Sequence, residues 1–161
     1  MQFALLIGIA AVIQCLHYYP QLPAYVASNF GGEGKPGAWS SKDGLFMIYL
    51  GMLAMCGGVF FLMPRFMPRF STKRFNMPNR EYWLAPERRQ ATLKYIQTQM
   101  EWFGVATLLF SVAVMELVFR ANLASTVRLS DYFLHVLIAY FAYSLGWTFL
   151  FIKRLRVIPN K

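Results

Sequence analysis

GLFMIYLGMLAMCGGVFFLM, Gly44–Met63, runs for 20 residues without a charged side chain. At ~1.5 Å per residue it makes a helix about 30 Å long, the hydrocarbon thickness of a bilayer. Three further apolar segments, Met1–Tyr19, Trp102–Phe119 and Tyr132–Ile152, have comparable length, so all four fall between 18 and 21 residues. A soluble helical protein would show polar stripes along such helices. Here 57% of residues are hydrophobic and 14% charged, and the segments have almost no polar face. The pattern predicts an all-α, integral membrane four-helix bundle, one domain over residues 1–161. The first segment lacks a basic leader and a small-x-small cleavage site before Tyr18-Tyr19-Pro20, so it reads as a retained helix starting almost at Met1.

The basic residues give the bundle an orientation. Arg65, Arg69, Lys73, Arg74, Arg80, Arg88, Arg89 and Lys94 lie between helices two and three, and Lys153, Arg154, Arg156 and Lys161 follow helix four. Only Lys35, Lys42, Arg120 and Arg128 fall on the other side. The positive-inside rule then makes residues 64–101 and both termini cytoplasmic, N-in and C-in, with residues 20–43 an outer loop. The formal charge of +9 fits an anionic inner leaflet rather than nucleic acid, because the basic groups adjoin the membrane segments. From their helix ends, Cys15 and Cys56 differ in height by roughly 12 Å, too far for a disulfide, and read as small buried hydrophobes.

The outer loop is rich in turn formers, and Tyr18, Tyr19, Leu22, Tyr25, Val26, Phe30 and Trp39 interleave with them. It is expected to form an ordered lid, although Tyr and Trp also favour headgroup level for anchoring alone. Gly51, Ala54 and Gly58 share one face of helix two, a pattern expected to pack within the bundle. Prolines in the tandem Met63-Pro64-Arg65-Phe66 and Met67-Pro68-Arg69-Phe70 are expected to stop that helix, with Arg and Phe docking at the lipid interface. Pro86 and Glu87 suit a helix start, so helix three is expected to begin near Pro86 and project into the cytoplasm before Trp102.

Ionisable groups in membrane segments are the first suspects for chemistry. His17, Glu116, Asp131 and His135 all fall at outer helix ends, and Glu116–Arg120 and Asp131–His135 are each four apart on one face. If helices one, three and four adjoin, these groups converge on a titrating cluster or a metal site at His17, His135 and Glu116. Structural pairing is the simpler outcome, since each carboxylate has a basic neighbour and no metal-binding spacing is present. Thr107 and Ser111 are expected to bond to backbone or neighbouring helices. Tyr140, Tyr143 and Trp147 form an aromatic stripe suited to packing. With no nucleophile motif, Gly-rich phosphate loop or charged path across the bilayer, no catalytic residue and no cofactor is assigned.

Two stretches carry a family resemblance. Tyr19-Pro20-Gln21-Leu22-Pro23, Asn29-Phe30 and Gly34-Lys35-Pro36-Gly37-Ala38-Trp39-Ser40-Ser41-Lys42 form the first, and Pro78-Asn79-Arg80-Glu81-Tyr82-Trp83-Leu84-Ala85-Pro86-Glu87-Arg88-Arg89 the second. They resemble a bacterial membrane family carrying a domain of unknown function that also forms the N-terminal part of SdpI-type immunity and signalling proteins. Family members often have His before the loop Phe, where this chain has Asn29. SdpI-type proteins also continue into further helices, so toxin immunity is not carried over. The resemblance implies a bacterial inner-membrane protein with an ordered external lid. The expected function is a non-catalytic accessory, sensor or immunity-like protein that binds a membrane-protein or peptide partner, with homo-oligomerisation open. The alternatives are a metal-dependent membrane enzyme using the outer cluster and a small transporter or channel subunit.

Overall fold

The computed structural model describes residues 2–158. The expected helix start at Met1 and the basic tail residue Lys161 therefore lie outside the described residues. The chain is predominantly helical. Helix α1 covers Gln2–Tyr18, a β-hairpin follows with β1 at Tyr25–Phe30 and β2 at Pro36–Ser41, and α2 covers Lys42–Gly57. A π-helical turn at Gly58–Leu62 leads into α3, Met63–Phe66; after short 3-10 turns come α4, Arg80–Trp83, α5, Arg89–Leu123, and α6, Tyr132–Arg156.

Three helical stretches are long and apolar enough to cross a membrane: Lys42–Arg69, Arg89–Leu123 and Tyr132–Arg156. Helix α1 is equally apolar but has 17 residues. Leu5, Leu6, Ile13, Leu16, Met47, Ile48, Leu134, Leu145 and Phe149 are all well exposed. A belt of that size is far larger than a soluble monomer tolerates in water, and acyl chains are the solvent that suits it.

The all-α expectation needs correction at the loop. Residues 25–41 form an antiparallel pair in which Tyr25 faces Ser41, Ala27 faces Trp39 and Phe30 faces Pro36, with a bulge near Asn29. Gly31, Gly32 and Gly34 form the hairpin tip, where the Gly34 N–H donates to Gly31 O at 2.9 Å and the Gly31 N–H to Lys35 O at 2.8 Å. Gly34 adopts φ +73°, a left-handed conformation that a side chain resists. A Cβ there would also sit 2.6 Å from the Leu129 carbonyl oxygen. Ser41 then caps α2, its Oγ accepting from the Gly44 N–H at 3.1 Å.

The second helix does not stop at its first proline. The Met63 N–H donates to the Gly58 carbonyl, closing a wider π turn, and Pro64 falls in the first turn of α3, where a missing N–H costs little. Helical turns continue to Arg69. At the other expected boundary, Pro86 sits in a turn and α5 starts three residues later, after the Arg88 and Arg89 N–H groups both donate to Ala85 O at 2.9 Å.

Helix α5 is the hub: α1, α2 and α6 all pack against it. Its 35 residues span about 52 Å, longer than one bilayer core. One buried cluster lies toward the hairpin and includes Tyr18, Val26, Phe46, Tyr49, Met115 and Phe119; the Tyr18 and Tyr49 rings contact Phe119, and the Phe46 and Phe119 rings stack at 5.1 Å. A smaller one, Ile7, Cys56 and Leu108, lies further down. Cys15 and Cys56 are both free thiols. On the other side of α5, the aromatic stripe of α6 packs in, with Phe110 4.2 Å from Tyr140 and Phe103 4.6 Å from Trp147 between ring centres.

The small-residue face of α2 is a second correction. Gly51 and Ala54 are exposed and Gly58 half-buried, and nothing lies within 4 Å of a Cβ built at Gly51 or Gly58. Close approach is provided instead by Gly104 of α5, where a Cβ would lie 2.5 Å from Phe60 Cβ and 2.9 Å from the Phe61 ring. Gly104→Ala is therefore expected to destabilise the fold by about 1–3 kcal/mol through overpacking. Gly51→Ala, in open space, is expected to be neutral or to stabilise through helix propensity. Thermal unfolding of both variants in detergent checks this; equal midpoints would refute the close-packing role of Gly104.

Candidate functional site

The polar cluster of this molecule forms around one carboxylate. Glu116 lies on α5 within an apolar run, and α1 approaches it with two donors. Gln14 Nε2 donates to Glu116 Oε2 at 2.9 Å, and the Tyr18 hydroxyl donates to Oε1 at 2.7 Å. One turn along α5, Arg120 Nε donates to the same Oε1 at 2.6 Å. Gln14 also donates to the Val112 carbonyl at 3.1 Å and accepts from the Tyr49 hydroxyl of α2 at 2.8 Å. Gln14, Tyr18 and Tyr49 are all buried. Three helices are thus joined through a charge-neutral, hydrogen-bonded set, the form in which buried polar groups are tolerated.

A second polar contact fixes the hairpin. Asn122 is buried near the end of α5, about two turns beyond Met115, and meets the backbone of Ala27, itself fully buried in β1. Asn122 Oδ1 accepts from the Ala27 N–H at 2.6 Å, and Nδ2 donates to the Ala27 carbonyl at 3.0 Å and to the Val118 carbonyl at 2.9 Å. One amide side chain therefore takes the place of a neighbouring strand along the free edge of β1. The hairpin tip is tied separately, by the Leu129 N–H donating to Gly34 O at 2.8 Å.

Residues of the outer motif mostly brace this end. The Tyr19 hydroxyl donates to Asp43 Oδ1 at 2.8 Å. Lys42 Nζ lies 4.3 Å from the Tyr19 ring centre and donates to the carbonyls of Tyr19 at 3.1 Å and Leu22 at 3.4 Å. Leu22 is buried and Phe30 packs against the core, whereas Pro20, Pro23 and Trp39 are exposed.

The expected convergence of His17, Glu116, Asp131 and His135 is not assembled. Among the described residues, no group of three or more His, Cys, Asp or Glu side chains is placed to hold a metal ion. The reason is the two-sidedness of α5. Phe103, Thr107 and Phe110 meet α6, while Val112, Glu116 and Phe119 meet α1 and α2. At 3.6 residues per turn these sets lie about 180° apart. Asp131 and His135 are exposed, and His135 Nδ1 lies 3.2 Å from the Asp131 backbone oxygen rather than its carboxylate. The His17 ring packs edge-on against Tyr18 at 4.9 Å.

At the opposite end, the second motif is occupied with intramolecular contacts. Asn79, at φ 50°, donates through Nδ2 to the carbonyls of Leu155 at 3.3 Å and Arg156 at 2.8 Å, and Trp83 Nε1 donates to Leu155 O at 2.7 Å. These are terminal carbonyls of α6 that lack helical partners. Arg88 Nε donates to Tyr82 O at 3.0 Å with its guanidinium over the Tyr82 ring, and Arg88 pairs with Glu87 at 2.9 Å. Arg89 Nη2 donates to the carbonyls of Pro68 and Phe70, both at 2.9 Å. Arg80 Nη1 reaches Lys73 O at 3.5 Å. Thr107 Oγ1 bonds to the Phe103 carbonyl and to the Tyr140 hydroxyl, each at 2.9 Å, and Ser111 Oγ donates to Thr107 O at 2.8 Å.

Gln14, Tyr49 and Asn122 were missed by sequence reasoning, which sought ionisable groups. For Gln14 and Asn122 the available signal was an uncharged amide inside a largely apolar helix, costly in hydrocarbon unless it is paired; the Tyr49 hydroxyl carried no such signal.

A family model described as a domain of unknown function (DUF1648) matches residues 5–53. The chain is similar to that family over α1, the hairpin and most of α2, the region that supplies Gln14, Tyr18, Tyr49 and Ala27. No curated protein and no solved structure matches the chain.

Asn122→Ala would leave the buried Ala27 N–H and carbonyl without partners, at a cost of about 1–3 kcal/mol. Hydrogen exchange in detergent is expected to speed up across residues 25–41 while α6 stays protected. Unchanged exchange in the hairpin would show that Asn122 does not hold it.

Proposed function

We propose that this chain is a non-catalytic, multi-pass protein of a bacterial inner membrane whose hairpin end binds a protein or peptide partner. The observation that carries the proposal is a hairpin fixed at Ala27 by Asn122 and at Gly34 by Leu129, yet leaving Tyr25 70% and Trp39 57% exposed. Large aromatic side chains on a pre-ordered backbone lose little entropy on binding and are typical anchors of protein interfaces. The bacterial assignment draws on the likeness of the loop and the second motif to the family that includes SdpI-type proteins.

The proposal includes four spans. Helix α1, at 17 residues, reaches about 26 Å, close to a hydrocarbon core. The basic residues of the 64–101 segment and the α6 end then favour a cytoplasmic position for both, with the hairpin outside.

Cysteine labelling in a Cys15→Ala/Cys56→Ala background tests the orientation. A membrane-impermeant maleimide is expected to label Ser40→Cys in intact cells, and Ser71→Cys only after permeabilisation; the reverse pattern would overturn it. A photo-crosslinking residue at position 39 is expected to capture a discrete partner polypeptide, and one at position 71 is not. If position 39 yields only uncrosslinked chain in native membranes, the binding role fails.

A further inference from the structure

Toward the end of the helices away from the hairpin, α1 and α2 separate and leave a groove of about 490 Å³. Its walls include Ile7 and Gly8 of α1, Leu53 and Gly57 of α2, and Phe61 of the π turn, and Arg65 is the one charged residue lining it among the described residues. Nothing lies within 4 Å of a Cβ built at Gly8 or Gly57, so the missing side chains leave the space open. The π turn contributes by directing Phe60 and Phe61 against Gly104.

The geometry points to a binding site for one anionic glycerophospholipid, with an acyl chain along the groove and the phosphate at Arg65. Length supports that occupant. From Leu53 to Arg65 the helical rise is about 18 Å, near the hydrocarbon depth of a single leaflet. Charge supports it too, because a guanidinium matches phosphate oxygens in a way that an uncharged groove mouth cannot. Apart from Gln2 and Arg65 the lining is apolar, with α1 contributing Ala4, Leu5, Ile7 and Gly8 and α5 contributing Leu108, and an acyl chain is the apolar molecule present at that depth. This site is separate from the hairpin surface and does not depend on a protein partner there.

The test uses full-length protein in mild detergent, delipidated and titrated with palmitoyl-oleoyl phosphatidylglycerol or phosphatidylcholine, with adducts read by native mass spectrometry. Wild type is expected to retain one phosphatidylglycerol per chain in preference to phosphatidylcholine. Gly57→Leu fills the groove and is expected to lower the adduct about tenfold, the effect of losing roughly two buried methylenes. Arg65→Gln is expected to abolish the preference between the two lipids. Gly51→Leu, on the same helix but outside the groove, is expected to change neither. Should Gly57→Leu fail to fold, Gly8→Leu fills the groove from the other wall. Undiminished adducts in the filling variants would overturn the site. Equal binding of both lipids by wild type would overturn the phosphate contact, and a dimer lost on filling the groove would assign it to a second copy.

Discussion

A carboxylate placed in an apolar helix has to be satisfied by the protein itself, and Glu116 imposes that condition on this fold. Hydrocarbon provides no hydrogen bonds, so donors must come from neighbouring helices. Gln14 and Tyr18 provide them from α1, Arg120 from the next turn of α5, and Tyr49 extends the set to α2 through Gln14. These contacts fix which face of α5 meets α1 and α2. The opposite face is left for the aromatic residues of α6.

Both ends of the molecule are closed by side chains that stand in for backbone. Asn122 satisfies the edge of β1 as another strand would, and Asn79 with Trp83 satisfies the last carbonyls of α6. At the hairpin these bonds add to the packing of Leu22, Val26 and Phe30 on the main buried cluster. The two ends nevertheless differ in what they leave exposed: Trp39 and Tyr25 at the hairpin, and at the other end a basic segment whose Arg88 and Arg89 are committed to internal carbonyls. That contrast moves the candidate recognition surface to the hairpin.

Much of the helix placement was legible in the sequence because apolar length is a local property. Three of the four segments correspond to helices long enough to cross a membrane, and the fourth to the shorter α1. The hairpin was legible only as an ordered loop, since its turn residues say that the chain reverses but the strands are short and held by Asn122, 95 residues away from Ala27. Pro64 misled for a similar reason: its effect on the helix depends on the π turn before it. The small face of α2 also misled, because spacing cannot say which helix, if any, lies opposite.

By itself the sequence determined the apolar segments, their lengths and the unequal distribution of basic charge, all of which follow from local composition. Only the tertiary structure decided the partners: Gln14 and Tyr18 for Glu116, Ala27 for Asn122, the α6 carbonyls for Asn79, and Gly104 as the point of closest approach. The physical reason is that a hydrogen bond or a close contact needs two groups at a defined separation, and groups far apart in the chain acquire that separation only when the helices pack.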